Sequence, residues 1–181
     1  MRAGGAVRGA LAVAALAIGA GCTSIPEGIE PVTGFDADRY LGTWYEIARL
    51  DHRFERGLAN VTAEYSRRDD GTIAVVNRGY DTEDGEWSEA DGRAKFVEDP
   101  DTAHLKVSFF GPFYGSYVVF ELDEGYERAY VTGPDRDYLW FLARSPEVDE
   151  AAYADFVDRS EALGFEVDGL IRVDQTPRPD L

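Results

Sequence analysis

Short runs of alternating apolar and polar residues fill the chain between residues 43 and 144. An apolar residue at every second position is typical of β-strands that bury one face. Turn signals separate the runs, among them Asp69-Asp70-Gly71 and Asp123-Glu124-Gly125, and both are typical of hairpins. The pattern predicts eight strands. They lie near 43–50, 59–68, 72–81, 86–96, 104–110, 116–122, 126–132 and 138–144.

The periodicity changes after the eighth predicted strand. Apolar residues recur at helical spacing from Val148 to Leu163, with Pro146 ahead of them and Gly164 just behind. A short ninth strand is predicted at 167–173. This order favours an all-β fold: an eight-stranded up-and-down antiparallel barrel with a C-terminal α-helix packed outside it. The alternative is the fatty-acid-binding barrel, but its helices lie between the first two strands.

The N-terminal residues have the character of an export signal. Arg2 and Arg8 precede a short apolar stretch, and the segment Ile18-Gly19-Ala20-Gly21-Cys22 resembles the bacterial lipobox. Cys22 is also the single cysteine of the chain, so no intramolecular disulfide is available. We therefore expect a lipoprotein signal peptide at 1–21 and acylation of Cys22.

The expected mature chain has one domain. Residues 22–34 are predicted to be the acylated N-terminus and a linker, 35–174 the folded domain and 175–181 a C-terminal tail. Two or more acyl chains on Cys22 would give stable membrane anchoring. Because Thr23 and not Asp follows the cysteine, the expected location is the outer membrane, with the domain facing the periplasm.

The charge of the chain excludes one class of partner. The formal net charge is −17, and loss of Arg2 and Arg8 with the signal peptide makes it −19 (−17 − 2). Nucleic acid binding requires basic patches, so nucleic acid is not an expected partner. Attachment to a membrane would come from acyl chains and not from surface side chains.

An up-and-down barrel places alternate connections at opposite ends. The connections 69–71, 97–103 and 123–125 share one end with the N-terminal entry at 35–42, and their tight turns predict that this end is closed. The connections that share the other end are longer and carry aromatic residues and arginines. They are 51–58, 82–85, 111–115 and 133–137. Phe54, Phe113 and Tyr114 are expected either to form a lipophilic rim there or to fold back over the core.

The interior of a small barrel has room for one small ligand. Side chains that alternate inward on the predicted strands are mostly aromatic or aliphatic with a few polar tips, as in a ligand pocket. A slip of one residue in strand phase would reverse inside and outside. The predicted pocket residues are Tyr65, Asn77, Phe109, Tyr117, Tyr138 and Trp140, with Val107 and Val119 beside them.

Three segments resemble a known family. Gly42-Thr43-Trp44, within the stretch 35–57, resembles the N-terminal signature of the lipocalins, and 105–115 and 133–140 are similar to the bacterial outer-membrane lipocalins. That branch is similar to apolipoprotein D and to plant temperature-induced lipocalins. The resemblance covers residues 33–174, although Asp123-Glu124-Gly125-Tyr126 replaces the usual middle motif.

The resemblance implies a function and several residue roles. It implies binding of a lysophospholipid or a fatty acid, and a link to stress. Trp44 and Arg144 correspond to a conserved structural pair at the closed end, and Trp140 and Tyr65 to pocket aromatics. Whether the chain forms a homodimer is left open.

The mouth is expected to hold the polar head group of such a lipid. Arginines of the mouth region could pair with a phosphate or carboxylate there. Arg53 and Arg136 are the candidates in the 51–58 and 133–137 connections, with Arg56 and Arg78 beside them, and Phe113 is an apolar contact at the rim.

Signs of enzyme chemistry are few. The two histidines, His52 and His104, are predicted at opposite ends of the barrel, so a shared metal centre is not expected. No nucleophile or phosphate-binding motif is present. A binding protein without cofactor or metal is the favoured interpretation; the alternatives are an envelope scaffold with a filled barrel and, with less support, a lipocalin-type enzyme.

Overall fold

The computed structural model describes residues 23–178 and contains one antiparallel sheet that closes into a barrel. Neighbouring strands follow the order β2-β3-β4-β5-β6-β7-β8-β1, and β1 pairs back onto β2. A ninth strand, β9, pairs with β1 outside the ring. The strands are β1 (Gly42–Leu50), β2 (Leu58–Arg67), β3 (Ile73–Asp81), β4 (Glu86–Phe96), β5 (His104–Ser108), β6 (Gly115–Leu122), β7 (Arg128–Thr132), β8 (Leu139–Ala143) and β9 (Leu170–Arg172). The predicted barrel is confirmed.

Two helices flank the strands. The short helix α1 (Ala37–Tyr40) precedes β1, and the helix α2 (Glu150–Ala162) follows β8. Asp149 caps α2, since its side chain accepts a hydrogen bond from the backbone N–H of Ala152 at 2.7 Å. None of the helices within 23–178 has the length and apolar character needed to cross a membrane.

Three predicted strands differ from the structure by two or more residues at one end, and most other limits agree to within one residue. β7 begins at Arg128 and not at 126, because the Asp123 carboxylate accepts hydrogen bonds from the backbone N–H groups of Glu127 and Arg128 and holds the connection as a turn. β5 ends at Ser108, so Phe109 and Phe110 belong to the following loop. The ninth strand covers only 170–172, because a 3₁₀ turn occupies Val167–Gly169.

Apolar residues form two separate cores. One fills the barrel and includes Trp44, Tyr65, Leu105 and Val119. The other lies between the outer barrel wall and α2, where Phe156 is fully buried and its ring stacks on Phe141 at 5.1 Å. Residues on alternate positions of β8 therefore serve different cores: Leu142 faces the interior, whereas Phe141 faces the helix.

The closed end is built around Trp44. Its indole is fully buried, and its Nε1 donates a hydrogen bond of 2.8 Å to the carbonyl oxygen of Tyr40 in α1. The guanidinium carbon of Arg144 lies 4.0 Å from the centre of the Trp44 rings. Gly42 lets this arginine approach, since its φ is +96° and an added Cβ would lie 3.3 Å from Arg144 Nη1.

The segment predicted as a linker packs against the barrel. Ile29 is buried in the core beside α2, and the Val32 backbone N–H donates to the Val119 carbonyl at 2.9 Å. At the start of the described chain, Ser24 Oγ donates to the Pro134 carbonyl at 3.0 Å. Residues 23–34 thus run from the 133–137 connection to the entry of the barrel.

The C-terminal segment packs on the barrel as well. The pairing of β1 with β2 extends only from the pair of Gly42 and Tyr65 to the pair of Tyr45 and Thr62. Beyond that point the side-chain amide of Gln175 donates to the carbonyl oxygens of Glu46 and Val61, at 2.8 and 3.0 Å. Gln175 thereby bridges the two strands where their own ladder stops.

Candidate ligand-binding site

The barrel interior changes character from the closed end to the open end. Near the closed end, interior side chains such as Trp44, Val75 and Val119 are almost completely buried. Nearer the open end, Val107, Phe109 and Trp140 belong to the same core but remain half-exposed. We call this partly exposed open end of the barrel, lined by these three side chains, the cup.

Three phenylalanines stand around the rim of the cup. Phe54 lies in the β1–β2 loop and is 65% exposed, while Phe110 and Phe113 lie in the β5–β6 loop and are 77% and 76% exposed. The strand order places these two loops on opposite sides of the ring. Phe110 and Phe113 therefore form an exposed apolar pair on one side of the mouth, and Phe54 stands on the other side.

A buried ionic cluster lies at the mouth on the β1 side. Arg49 is 2% exposed, and its Nη1 donates to Glu46 Oε1 at 2.7 Å. Its Nη2 donates to the carbonyl oxygens of Glu55 and Leu58, at 2.7 and 3.1 Å. Arg49 thus holds the β1–β2 loop against the barrel wall.

A β-bulge explains why two charged residues of β1 face the same way. The pairing of β1 with β8 shifts register between Glu46 and Ala48. The extra residue reverses the alternation, so Ile47 and Ala48 both pack in the outer core and Arg49 joins Glu46 inside.

The β1–β2 loop also inserts a carboxylate into the mouth. Glu55 Oε2 accepts a hydrogen bond of 3.1 Å from Trp140 Nε1, and His52 Nε2 lies 3.1 Å from the same oxygen. The side chains of His52 and Glu55 are only 7% and 13% exposed. The loop therefore folds into the mouth and does not extend freely into solvent.

The pKa values of the two carboxyl groups in the cluster are shifted in opposite directions. Burial raises the pKa of Glu46 well above its ordinary value, and the negative charge of Glu55 adds to the rise, against the opposing charge of Arg49. Burial alone would raise the pKa of Glu55 too. The contacts of its carboxylate with His52 and Trp140, together with the charge of Arg49, outweigh burial and lower it. Glu46 therefore keeps its proton to a higher pH than Glu55 does.

Aromatic rings surround the Glu55 carboxylate. Tyr138 and Trp140 stack with their ring centres 5.9 Å apart, and the His52 ring lies 5.2 Å from Trp140 and 5.7 Å from Tyr138. Among the described residues, the buried side-chain atoms without a hydrogen-bond partner include both ring nitrogens of His52, Arg49 Nε and Asn77 Oδ1. These four atoms belong to the upper barrel and its mouth loop.

Three tyrosine hydroxyls form a chain deeper in the barrel. Tyr117 Oη lies 2.8 Å from Tyr40 Oη and 2.9 Å from Tyr65 Oη, both hydrogen-bonding distances. Burial raises the pKa of all three hydroxyls, so they remain neutral. They form a hydrogen-bonded floor between the cup and the Trp44 core.

Comparisons with known proteins agree with this architecture. The family model described as "Lipocalin-like domain" matches residues 35–175. The chain belongs to the lipocalin family. Outer membrane lipoprotein Blc of Vibrio cholerae is 56% identical over 156 residues, which cover 86% of this chain and 91% of that protein. Mouse apolipoprotein D is 30% identical and covers 81% of this chain and 80% of its own length.

Solved structures with little sequence similarity share the fold. The cockroach allergen Per a 4 superposes with a TM-score of 0.66 at 20% identity, covering 85% of this chain and 96% of its own. At this identity the likeness concerns the fold alone.

Several predicted site residues lie within this lipocalin cup. The register aligns Asn77 with Ala63 and with Ala90, on the face that carries Trp44. Phe109 packs over Gly92, where an added Cβ would come within 2.8 Å of its ring. Trp140 and Tyr138 line the mouth, and Tyr65 and Tyr117 lie in the floor. Their contact with a ligand stays a prediction.

The arginines predicted for the mouth are in different situations. Arg53 is exposed next to the Phe54 ring, at 6.0 Å. Arg56 pairs with Asp51 at 2.7 Å, and Arg78 stacks over Trp87 on the outer wall at 4.1 Å. Arg136 binds the carbonyl oxygens of Leu163 and Glu27, at 2.8 and 2.5 Å. Arg136 therefore ties the end of α2 to the N-terminal segment, and Arg53 remains exposed at the rim.

Sequence reasoning missed the ionic cluster and Phe110. Glu46, Arg49 and Glu55 have the composition of a solvated strand edge and loop, and nothing local marks them as buried. The adjacent apolar pair Ile47 and Ala48 is the one signal of the bulge.

Among the described residues no three His, Cys, Asp or Glu side chains are placed to hold a metal ion. The surface clefts at 67–70 and 161–168 are lined by mostly charged loop residues outside the cup.

The raised pKa of Glu46 predicts how stability varies with pH. The folded protein holds this proton more tightly than the unfolded chain does. The contribution of Glu46 to the free energy of unfolding is therefore complete below the ordinary glutamate pKa of 4.5. It is lost as the pH rises through the higher pKa that Glu46 has in the folded protein. Glu46→Gln keeps an acceptor for Arg49 but has no proton to lose. We expect the variant to gain stability relative to the wild type as the pH is raised from about 4.5 to about 8, where Glu46 is ionised in the unfolded chain.

Urea denaturation across this range measures the difference. Glu64→Gln removes the same group from an exposed position of β2 and is the matched control, expected to follow the wild type. A constant difference between the Glu46→Gln protein and the wild type at every pH would contradict the assignment.

Proposed function

We propose that this protein is an outer-membrane-anchored lipid-binding protein that captures, stores or transports a lysophospholipid or a fatty acid. The observation that carries the proposal is the half-exposed aromatic cup, closed below by Trp44 and ringed above by Phe54, Phe110 and Phe113. A single acyl chain fits the interior of an eight-stranded barrel. Burial of the chain would drive binding, at about 25 cal/mol for each Å² of apolar area.

The position of the N-terminal segment supports an anchor on the side of the mouth. Ser24 and Glu27 are hydrogen-bonded to Pro134 and Arg136 of the β7–β8 connection, which belongs to the open end. Cys22, the proposed acylation site, lies outside the described residues, two positions before Ser24. An anchor starting there would bring the mouth and its phenylalanines towards the inner leaflet of the outer membrane, with the domain in the periplasm. The printed name of the Vibrio relative, an outer membrane lipoprotein, supports this location.

The head group would remain at the mouth. Arg53 is the exposed cation beside the rim, and a phosphate or carboxylate could pair with it. The strongly acidic surface gives no general attraction for anions, so any anion preference has to be local. A role in envelope maintenance under stress would follow from removal of single-chain lipids that disturb the membrane.

Two alternatives follow from specific features. The tyrosine floor fills part of the barrel, which favours a scaffold lipoprotein if the upper part is also filled. The coupled carboxyls of Glu46 and Glu55 favour an enzyme, because such pairs occur at catalytic sites as well as in structural ion networks. The relatives reported above are named as a lipoprotein and an apolipoprotein and not as enzymes.

Native mass spectrometry of the protein purified from its own membranes tests these proposals. A bound lysophospholipid or fatty acid, about one per chain, is the expected result. A barrel that stays empty and takes up neither lipid when they are added would support the scaffold. Chemical conversion of an added lipid would support the enzyme.

The proposed lipid anchor at Cys22 predicts that substitution of this residue releases the protein from the membrane. Cys22→Ser removes the only thiol available for acylation, so we expect the protein to move from the membrane fraction to the soluble periplasmic fraction. Thr23→Ser is the matched control, because it changes the neighbouring residue and leaves the cysteine. Retention of the Cys22→Ser protein in the outer membrane would contradict the anchor.

A further inference from the structure

The ionic cluster at the mouth lacks one positive charge. It combines the two carboxyl groups of Glu46 and Glu55 with one guanidinium, that of Arg49. Among the buried residues of 23–178, Arg49 is the only arginine or lysine. With both carboxyls ionised, their negative charge exceeds the charge of the guanidinium by one. An unbalanced charge is costly in a buried site, so a proton or a cation has to supply the balance.

The cluster also has the surroundings of a cation site. The Glu55 carboxylate lies at the mouth beside the stacked rings of Tyr138 and Trp140. Aromatic faces attract ammonium groups, and the attraction grows when the cation is removed from water. A carboxylate combined with aromatic walls distinguishes a cation from an anion of the same size.

One unused acceptor completes the arrangement. His52 Nε2 lies 3.1 Å from Glu55 Oε2, yet neither ring nitrogen has a well-aligned hydrogen-bond partner, and a neutral ring has one acceptor nitrogen. Both nitrogens are buried, and the His52 side chain is only 7% exposed. A buried acceptor without a donor costs free energy, which a ligand with an N–H group would recover.

We propose that Glu55, His52, Tyr138 and Trp140 bind the primary ammonium group of an ethanolamine-type lipid head group. This inference rests on the proposed lipid-binding function and names the head group that the cup prefers. The ammonium supplies the balancing positive charge and donates to the Glu55 carboxylate and to His52 Nε2 beside it, with the ring proton on Nδ1. When the ammonium binds, Glu46 releases its proton. The carboxylates of Glu46 and Glu55 are then balanced by the guanidinium of Arg49 and the ammonium.

The same arrangement disfavours other head groups. A fatty acid carboxylate or a glycerol phosphate adds negative charge beside Glu55 and donates nothing comparable to His52. A choline head group carries the positive charge, but its quaternary nitrogen has no N–H to donate to His52 or to Glu55. The net charge of −19 expected for the mature chain adds to the discrimination against anionic lipids.

Binding of two lysolipids that share one oleoyl chain tests the inference. The mature chain carrying Cys22→Ser is titrated with lysophosphatidylethanolamine and with lysophosphatidylglycerol in the same buffer. We expect the ethanolamine lipid to bind about tenfold more tightly, the usual size of one charge-assisted hydrogen bond at a partly buried site. This comparison uses one protein and does not depend on whether a variant folds.

A substitution then assigns the preference to the cluster. Glu55→Gln keeps an acceptor for Trp140 but removes the charge, so the preference should fall below about twofold while binding of the glycerol lipid is unchanged or stronger. Glu83→Gln removes one charge from the exposed β3–β4 connection at the same end of the barrel and should keep the preference.

Equal affinities for the two lipids, or a preference that survives Glu55→Gln, would overturn the ammonium site and leave lipid binding intact. Failure of both lysolipids and of oleic acid to bind would instead contradict the proposed function, and the ammonium site with it.

Discussion

The contact between Trp44 and Arg144 is the constraint on which the rest of the structure depends. The indole fills the closed end, and the guanidinium covers it while donating to the carbonyl oxygens of Thr43, Leu41 and Arg39, each at 2.9 Å. One side chain thus joins the end of β8 to the start of β1 and to α1. A cation–π contact of this kind contributes about 0.5–2 kcal/mol, and the carbonyl groups it satisfies contribute more. With this end sealed, a ligand has to enter from the opposite end.

At the open end a second arginine, Arg49, holds the β1–β2 loop in place. Arg49 is turned into the barrel by the bulge in β1, and it fixes the β1–β2 loop by binding two of its carbonyl oxygens. That loop then places Glu55 and His52 inside the mouth and leaves Phe54 outside it. A single loop therefore supplies both the polar group that would select a head group and an apolar residue that would touch the membrane. Binding and membrane approach would be coupled through this loop.

Much of the fold could be predicted from the sequence, because the alternation of apolar residues and the turn signals act locally. The helix at 150–162 and the closed end follow from the same reasoning. The ionic cluster could not be predicted, since the bulge between Glu46 and Ala48 breaks the alternation and charged loop residues usually face solvent. Arg136 was placed at the mouth by its loop, yet its guanidinium binds Leu163 and Glu27, which no local pattern indicates. Likewise, residues 23–34 have a linker composition and still form a packed segment, because Ile29 finds an apolar site beside α2.

The three tryptophans offer the most direct test of a ligand site at the mouth. Trp44 lies at the closed end, Trp87 stacks with Arg78 on the outer wall and Trp140 lines the cup. Fluorine NMR of protein that contains fluorotryptophan gives one signal for each position, and the protein is titrated with an oleoyl lysolipid. The account predicts that the Trp140 signal shifts with saturation at one lipid per chain, while the Trp44 and Trp87 signals stay in place. A titration that moves Trp87 or leaves Trp140 unchanged would contradict it.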